Sequence, residues 1–426
     1  MTYKDNAVKD LRIAYIGGGS RGWAWTFMRD LALEPAFGGT IVLYDIDKEA
    51  AKANEIIGNG ISEREEAVGK WKYIVADTLK EALIGSDFVV ISILPGTFDE
   101  MESDVHEPEK YGIYQSVGDT AGPGGMVRAL RTIPMFVTIA EAIRDYAPQA
   151  WVINYTNPMS LCVKTLYHVF PQIKAFGCCH EVFGTQKLLA QIAERELGIA
   201  DIKRDEIIVN VLGLNHFTWF DSASYKGIDL FKKYGWIAAA GDRHLAEFMP
   251  PIYLKDPETV ASWKFGLTTV AWRKEDLKKR LEKSKKLVSG EEKVELIPSG
   301  EEGILLIKAL CGLTRMISNV NIPNTAGQIP NLPASAVVET NAVFSRDSIA
   351  PIFAGNLTED IRQLMLPHVM NHEDVLKAAL TCDYDIMLRA FRRDPLVTCS
   401  KDDADKLLRT MIANTKKYLP DGWNSK

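Results

Sequence analysis

The chain has 426 residues, 46% hydrophobic and 25% charged, with a formal net charge of −6. That length suits one large domain or two closely packed ones, the composition is globular, and the acidic balance argues against a nucleic-acid-binding surface. No stretch reaches the roughly 18 consecutive apolar residues of a membrane span, no signal-peptide pattern opens the chain, and six cysteines without scaffold spacing point to reduced thiols in a cytoplasmic protein.

Residues 11–16 (LRIAYI) form a short apolar run ending at Gly17, the pattern of a buried parallel strand, and 21–34 read as a helix. IVLYDID at 41–47 is a second strand, a polar helix follows to about residue 65, YIVAD at 73–77 is a third strand and DFVVISIL at 87–94 a fourth. This order predicts an α/β fold with a Rossmann-type doubly wound parallel sheet. Residues 95–125, rich in glycine and proline, are expected to be mostly loop. Periodicity predicts a helix over 126–146, WVINYTN (151–157) is a further strand, and AFGCC (175–179) is another strand end. Residues 207–225 read as two strands joined by a bend at Gly213. A charged stretch at 255–300 is an exposed helix and loop, and 302–313 is a helix. Strands return at 317–322 and 336–342, and 357–418 are helical. A soft boundary near residue 195 divides the chain into 1–195 and 196–426.

Gly17-Gly18-Gly19-Ser20-Arg21-Gly22 fits G-x-G-x-x-G between a strand and a helix, with Asp45 at the end of the next strand. The glycines make the tight turn, let backbone approach a pyrophosphate and allow close helix–strand packing, while the helix N-terminus favours the phosphates. Asp45 accepts ribose hydroxyls and repels a 2′-phosphate, so NAD is expected rather than NADP. Cys179-His180-Glu181-Val182 follows another strand end, His216 sits in GLNHF, and Asn154 and Asn157 lie in NYTNP. Ligands bind outside the carboxyl ends of such strands, so these side chains are expected in one crevice. Thiolate and imidazole suit a divalent transition metal with positions open to substrate oxygens. Buried small hydrophobes for Cys178 and Cys179, and a hydrogen-bonded core histidine for His216, are the competing readings.

Taken together, GGGSRGW (17–23), GDTAGPGGMVRALRTIP (118–134), NYTNP (154–158), CHEV (179–182), GLNH (213–216) and GQIPNLPASAVVE (327–339) resemble glycoside hydrolase family 4, the NAD- and metal-dependent glycosidases. The resemblance covers nearly the whole chain. It implies a Rossmann domain followed by an α+β domain like that of lactate and malate dehydrogenases, and a homo-oligomer, dimer or tetramer. It implies NAD, a metal (usually Mn²⁺) on Cys179 and His216, and sugar contacts from Asn157 and Asp119. The implied chemistry is oxidation at the sugar C3, elimination across C1–C2, water addition and re-reduction, a net hydrolysis. The acid that follows the metal cysteine in phospho-glucosidase relatives is aspartate; here it is His180, a capable acid.

Similarity to the α-glucosidase branch, whose aspartate stands seven residues before the Trp of SWK, implies Asp256 as base. Tyr253 is the alternative, and helix capping is the structural reading of Asp256. CHEV resembles the α-galacturonidase subgroup, which implies cleavage of α-linked galacturonic acid from short pectin-derived oligosaccharides, with Glu181 near the sugar. An α-galactosidase or α-glucuronidase, a malate-type dehydrogenase and a non-catalytic NAD-binding redox sensor are the alternatives. A uronate carboxylate needs a cationic partner, for which Arg128, Arg131 and Lys264 are candidates.

Overall fold

Side chains alternate across the buried strands of the first half, and that alternation builds two cores. In the computed structural model, which describes residues 1–264 and 266–423, a short β1 (Thr2–Lys4) pairs with β2 (Ala7–Ile16). β3 (Phe37–Tyr44), β4 (Lys70–Val75), β5 (Phe88–Ile91), β6 (Trp151–Asn154) and β7 (Lys174–Gly177) complete a parallel array ordered β7-β6-β5-β2-β3-β4. Ile13, Tyr15, Ile41, Leu43, Phe88, Val90, Ile153 and Phe176 point to one face. Ala14, Ile16, Val42, Val89, Ile91, Val152 and Ala175 point to the other. A strand covered on both faces needs apolar residues at every position, which is why these segments read as continuous runs. The helix Trp23–Leu33 covers the first face with Ala24, Phe27, Met28, Leu31 and Ala32, a stripe at helical spacing. The strand order reverses between β2 and β5, the place where doubly wound sheets open a crevice.

The sheet continues into the second half. β8 (Ile207–Leu214) and β9 (Phe217–Tyr225) form a hairpin, with short β10 (Ile228–Asp229) and β11 (Ile237–Ala238) along β9. β12 (Met316–Pro323), β13 (Val337–Ser345) and β14 (Ser348–Pro351) form an antiparallel meander. β12 pairs with β7 at Asn321↔Gly177 and β13 with β8, so the described residues share one 14-stranded sheet. Residue 195 falls in the last turn of the helix Glu181–Leu197. The C-terminal helices Glu359–Thr381, Tyr384–Arg393 and Lys401–Thr415 pack around the helix Gly122–Tyr146 in a further core. No described helix is long and apolar enough to cross a membrane.

Several local expectations change. The stretch 95–125 holds a helix, Phe98–His106, opened by a capping box between Thr97 and Glu100. The helix expected from 126 begins at Gly122. Helices Met159–Val169 and Glu181–Leu197 follow strand ends beyond which the sequence pattern predicts no helix. The hairpin turns at Asn215–His216, not at Gly213.

His368 is 3% exposed on the helix Glu359–Thr381, donates from Nε2 to the Phe248 carbonyl at 2.8 Å, and packs edge-on against Phe217 and Phe248. Burial pushes its pKa down to about 4. The folded imidazole therefore stays neutral where the unfolded one, near ~6.5, already binds a proton. Its contribution is complete above the unfolded value and is lost as pH falls towards about 4. Urea unfolding between pH 7 and 4 is expected to show a decline of about 3 kcal/mol from this group. His368→Gln, which keeps the donor, should flatten that part of the curve; an unchanged slope would contradict it.

Candidate active site

Gly17 has φ 92°, and a Cβ there would lie 2.0 Å from the Ser92 carbonyl oxygen. Only glycine closes this turn from β2 into the helix Trp23–Leu33, packed against the end of β5. The Gly17 and Gly18 amides donate to the Tyr44 carbonyl at 2.9 and 3.0 Å, and Ser20 N to Gly17 O at 3.0 Å. Gly19 N donates to Asp45 Oδ2 at 2.8 Å, and Asp47 N to Asp45 Oδ1 at 2.9 Å. Asp45 thus braces the turn, and each oxygen keeps acceptor capacity for a ribose hydroxyl. Arg21 pairs with Asp47 at 3.5 Å. Gly22 caps the helix Trp23–Leu33 without a side-chain hydrogen bond, leaving first-turn amides available to an anion. Arg280, from the helix Val270–Ser289, lies over Gly22 and donates to the Arg21 carbonyl at 3.1 Å. Its Nε is paired with Asp276 at 2.6 Å. These residues fit a dinucleotide pyrophosphate.

Across the crevice, Glu181 opens its helix just after β7, His216 forms the β8–β9 turn, and His244 sits on the short helix Asp242–Phe248. One ligand atom from each lies within 4.8 Å of the others. The two imidazole centroids are 3.8 Å apart, and Glu181 Oε1 is 3.4 Å from His244 Nε2. His216 adopts φ 63°, a left-handed backbone that histidine visits more readily than most residues. Burial, with the charge of His244, pushes its pKa down to about 3, so the ring is neutral.

Thr120 Oγ1 bridges His216 Nδ1 at 3.1 Å and Asp119 Oδ1 at 2.8 Å. Burial opposes charge on Asp119, but Arg128, His216 and His244 outweigh it and hold its carboxyl below the ordinary range. An ionised Asp119 only accepts, so the hydroxyl proton goes to it and the hydroxyl oxygen accepts Nδ1–H of His216. That leaves His216 Nε2 with a free lone pair, the tautomer a metal ligand needs. At His244, burial opposes charge, yet the hydrogen bond and charge of Glu181 outweigh it and raise the pKa. Asn157 Oδ1, Asn215 Oδ1 and His244 Nδ1 are buried without hydrogen-bond partners among the described residues. Two imidazoles, a carboxylate and orphaned polar atoms fit a divalent cation with its substrate oxygens.

Residues 12–195 match the model of the family 4 glycosyl hydrolases, and residues 227–397 that of the family 4 glycosyl hydrolase C-terminal domain. The chain belongs to glycosyl hydrolase family 4. This family 4 chain is 63% identical to the alpha-galacturonidase of Lachnoclostridium phytofermentans over 100% of both chains. It is 48% identical to the alpha-galacturonidase of Bacillus subtilis over 96% of this chain and 98% of that one. The crystal structure of lplD from Bacillus subtilis superposes with a TM-score of 0.90 at 48% identity, over 95% of this chain and 100% of that one. The 6-phospho-beta glucosidase of Thermotoga maritima, solved with manganese, NAD+ and glucose-6-phosphate, shares the fold, with a TM-score of 0.78 at 22% identity over 96% and 99% of the chains.

Within the family 4 fold the expected residues part company. His180 caps the Glu181 helix, with Nδ1 3.3 Å from Glu301 Oε1 and Nε2 3.6 Å from Glu181 Oε1. The Glu301 hydrogen bond, against burial, raises its pKa. Cys179 is buried beside the cluster but outside its three ligand atoms. Burial, then Glu339, push its thiol well up. Glu181, expected at the sugar, stands among the ligand atoms. Asn154 is spent on Thr156, accepting at 3.0 Å and donating at 3.0 Å, and is structural. Asn157, joined to Pro158 by a cis bond, presents its free Oδ1.

Arg131, expected at the substrate, has all three nitrogens engaged within the chain. It is fully buried, with Nε on the Pro95 carbonyl at 2.8 Å, Nη1 on Asp104 and Thr415 at 3.2 Å each, and Nη2 on Asp104. Asp256 takes the capping role: Oδ1 accepts Thr259 N at 2.7 Å, and those bonds hold its carboxyl low. Tyr253 packs edge-on to Trp263, centroids 5.0 Å apart, and Lys264 is exposed at φ 60°. His244, Glu301 and Glu247 were missed. Glu247 accepts the Val117 and Gly118 amides, both at 2.7 Å, and burial pushes its pKa up to about 7. No motif spacing marks these three, and each lies in a stretch where other charged residues are common.

Proposed function

We propose that this chain is an α-galacturonidase that releases α-linked galacturonic acid from short oligogalacturonides, using NAD and a divalent metal, Mn²⁺ by preference. The carrying observation is full-length identity of 48–63% to proteins of that name, and the Glu181–His216–His244 cluster beside a dinucleotide turn agrees with it. When bound, NAD supplies reversible oxidation at the sugar C3 and the metal supplies Lewis-acid polarisation of sugar oxygens. Residues 1–195 hold the dinucleotide through Gly17–Gly22 and Asp45, and residues 196–426 bring His216 and His244 to the metal. Glu181 completes the set, with Cys179 as a further ligand, because a nearby cation lowers a thiol's pKa.

Asn157 orients the sugar through Oδ1, and Asp119 lies on the same side. His180, whose pKa the Glu301 hydrogen bond raises, is the acid that protonates the leaving glycosidic oxygen. The base that removes the C2 proton lies on the segment of Asp256 and Tyr253. Asp256→Asn and Tyr253→Phe, assayed for exchange of that proton with solvent, separate them, since only loss of the base abolishes exchange.

Galacturonic acid release from an α-linked digalacturonide is expected to require both NAD⁺ and Mn²⁺, with no net NADH. Accumulating NADH would instead indicate a dehydrogenase, and cleavage of α-galactosides alone a galactosidase. A cytoplasmic setting is supported by six cysteines that lack the spacing of a disulfide scaffold. A homo-oligomer, dimer or tetramer, is part of this reading, and light scattering after size exclusion tests it: a monomer would refute it.

A further inference from the structure

Two arginines stand one turn apart in the buried first half of the helix Gly122–Tyr146, and their surroundings differ. Arg131 is closed on every nitrogen by Asp104, Thr415 and Pro95. Arg128 is 5% exposed, and only its Nε is engaged, on the Asn157 carbonyl at 3.1 Å. Its two Nη groups have no hydrogen-bond or ion-pair partner among the described residues. Asp119 is its main counter-charge but does not close an ion pair with it.

A buried guanidinium is ordinarily paired, because removing its hydration without replacing it is costly. The open fork therefore calls for an anion from outside the chain. Its neighbours say where that anion sits. Asn157, with its own orphaned Oδ1, is on one side, and the Asp119–Thr120–His216 chain leads to the ligand cluster on the other. Two parallel N–H donors match the two oxygens of a carboxylate. The ionised Asp119 nearby disfavours a second negative charge on the same ligand, so a monoanionic carboxylate suits the place better than a phosphate dianion.

We infer that Arg128 binds the C6 carboxylate of the galacturonosyl unit and sets the preference for uronides over neutral hexosides. This rests on the galacturonidase reading above. The test uses the full chain with NAD⁺ and Mn²⁺, comparing nitrophenyl α-galacturonide with nitrophenyl α-galactoside for the unaltered protein, Arg128→Lys and Arg128→Gln. The ratio of the two kcat/KM values is expected to fall about 100-fold in Arg128→Gln, mostly through KM for the galacturonide, and less in Arg128→Lys. A ratio unchanged in the variants, or equal losses on both substrates, overturns the assignment.

Inhibition of the unaltered protein gives a readout independent of how the variants fold. Free D-galacturonate should inhibit far better than its methyl ester or galactose 6-phosphate. Equal inhibition by the ester, or stronger inhibition by the phosphate, overturns it. If the unaltered protein cleaves no galacturonide at all, the functional reading fails first and this assignment falls with it. If it cleaves galacturonides and Arg128→Lys discriminates as before, this assignment alone fails.

Discussion

Asparagine at His216 is expected to lower kcat/KM by about a thousandfold and to abolish the response of activity to added Mn²⁺, a barrier increase of about 4 kcal/mol. Asparagine is the informative replacement because it also tolerates the left-handed backbone of the β8–β9 turn, where φ is 63°. The hairpin should survive while the imidazole is lost. The Thr120 hydroxyl then loses its imidazole partner but keeps Asp119, and His244 and Glu181 remain as two donors of the three. Titration of Mn²⁺ by calorimetry, beside steady-state rates, separates ligand loss from misfolding. Retention of metal-dependent turnover in a folded His216→Asn protein would remove this histidine from the metal site. Glu181→Gln should show the same pattern in milder form, because the amide oxygen still offers a lone pair.

The second large effect concerns stability. Asp104→Ala is expected to destabilise the chain by about 3–5 kcal/mol, because it leaves the Arg131 guanidinium charged, buried and half-bonded. Both side chains are essentially inaccessible, 0% and 1% exposed. Arg131 also joins the helix Phe98–His106 to Thr415 at the end of the helix Lys401–Thr415, so its loss of register reaches the C-terminal core. Urea unfolding measures the difference. The double replacement Asp104→Leu with Arg131→Met should recover most of it, since well-packed apolar groups can substitute for a buried ion pair. A double variant no more stable than Asp104→Ala would show that Arg131's bonds to Pro95 and Thr415 matter more than its charge balance.

The parallel half of the fold was legible because its strands are buried on both faces, and such strands announce themselves as short apolar runs closed by glycine or an acid. Gly17–Gly22 and Asp45 could be placed from sequence for the same reason: their roles depend on backbone geometry next to a strand. Helices that follow strand ends were harder to see. In Met159–Val169 and Glu181–Leu197 the apolar stripe merges with the preceding strand's run, and no break separates the two periods. The Thr97–Glu100 capping box was present in the sequence but was masked by the surrounding prolines and glycines.

At the site, His216 could be singled out because it sits in a glycine-led turn. His244 could not: its helix has seven residues and no usable period, and its partners are far along the chain. Arg128 and Arg131 share a helix face by their three-residue spacing. Which of them is neutralised depends on Asp104, whose position only tertiary packing decides. Asp256 carried both readings in its Asp-Pro context, and the capping bond is the one the fold makes.

Glu181, His216 and His244 arrive on three separate stretches: a helix after β7, a hairpin turn and a short helix beyond it. A cation held by all three is also a cross-link. It ties the parallel array that carries the Gly17–Gly22 turn to the β8–β9 hairpin. Because the unfolded chain cannot gather these ligands, occupancy stabilises only the folded state, by about 2.7 kcal/mol when free metal exceeds its dissociation constant a hundredfold. In the proposed holoenzyme, metal supply would then set how long the protein lasts against proteolysis as well as how fast it turns over.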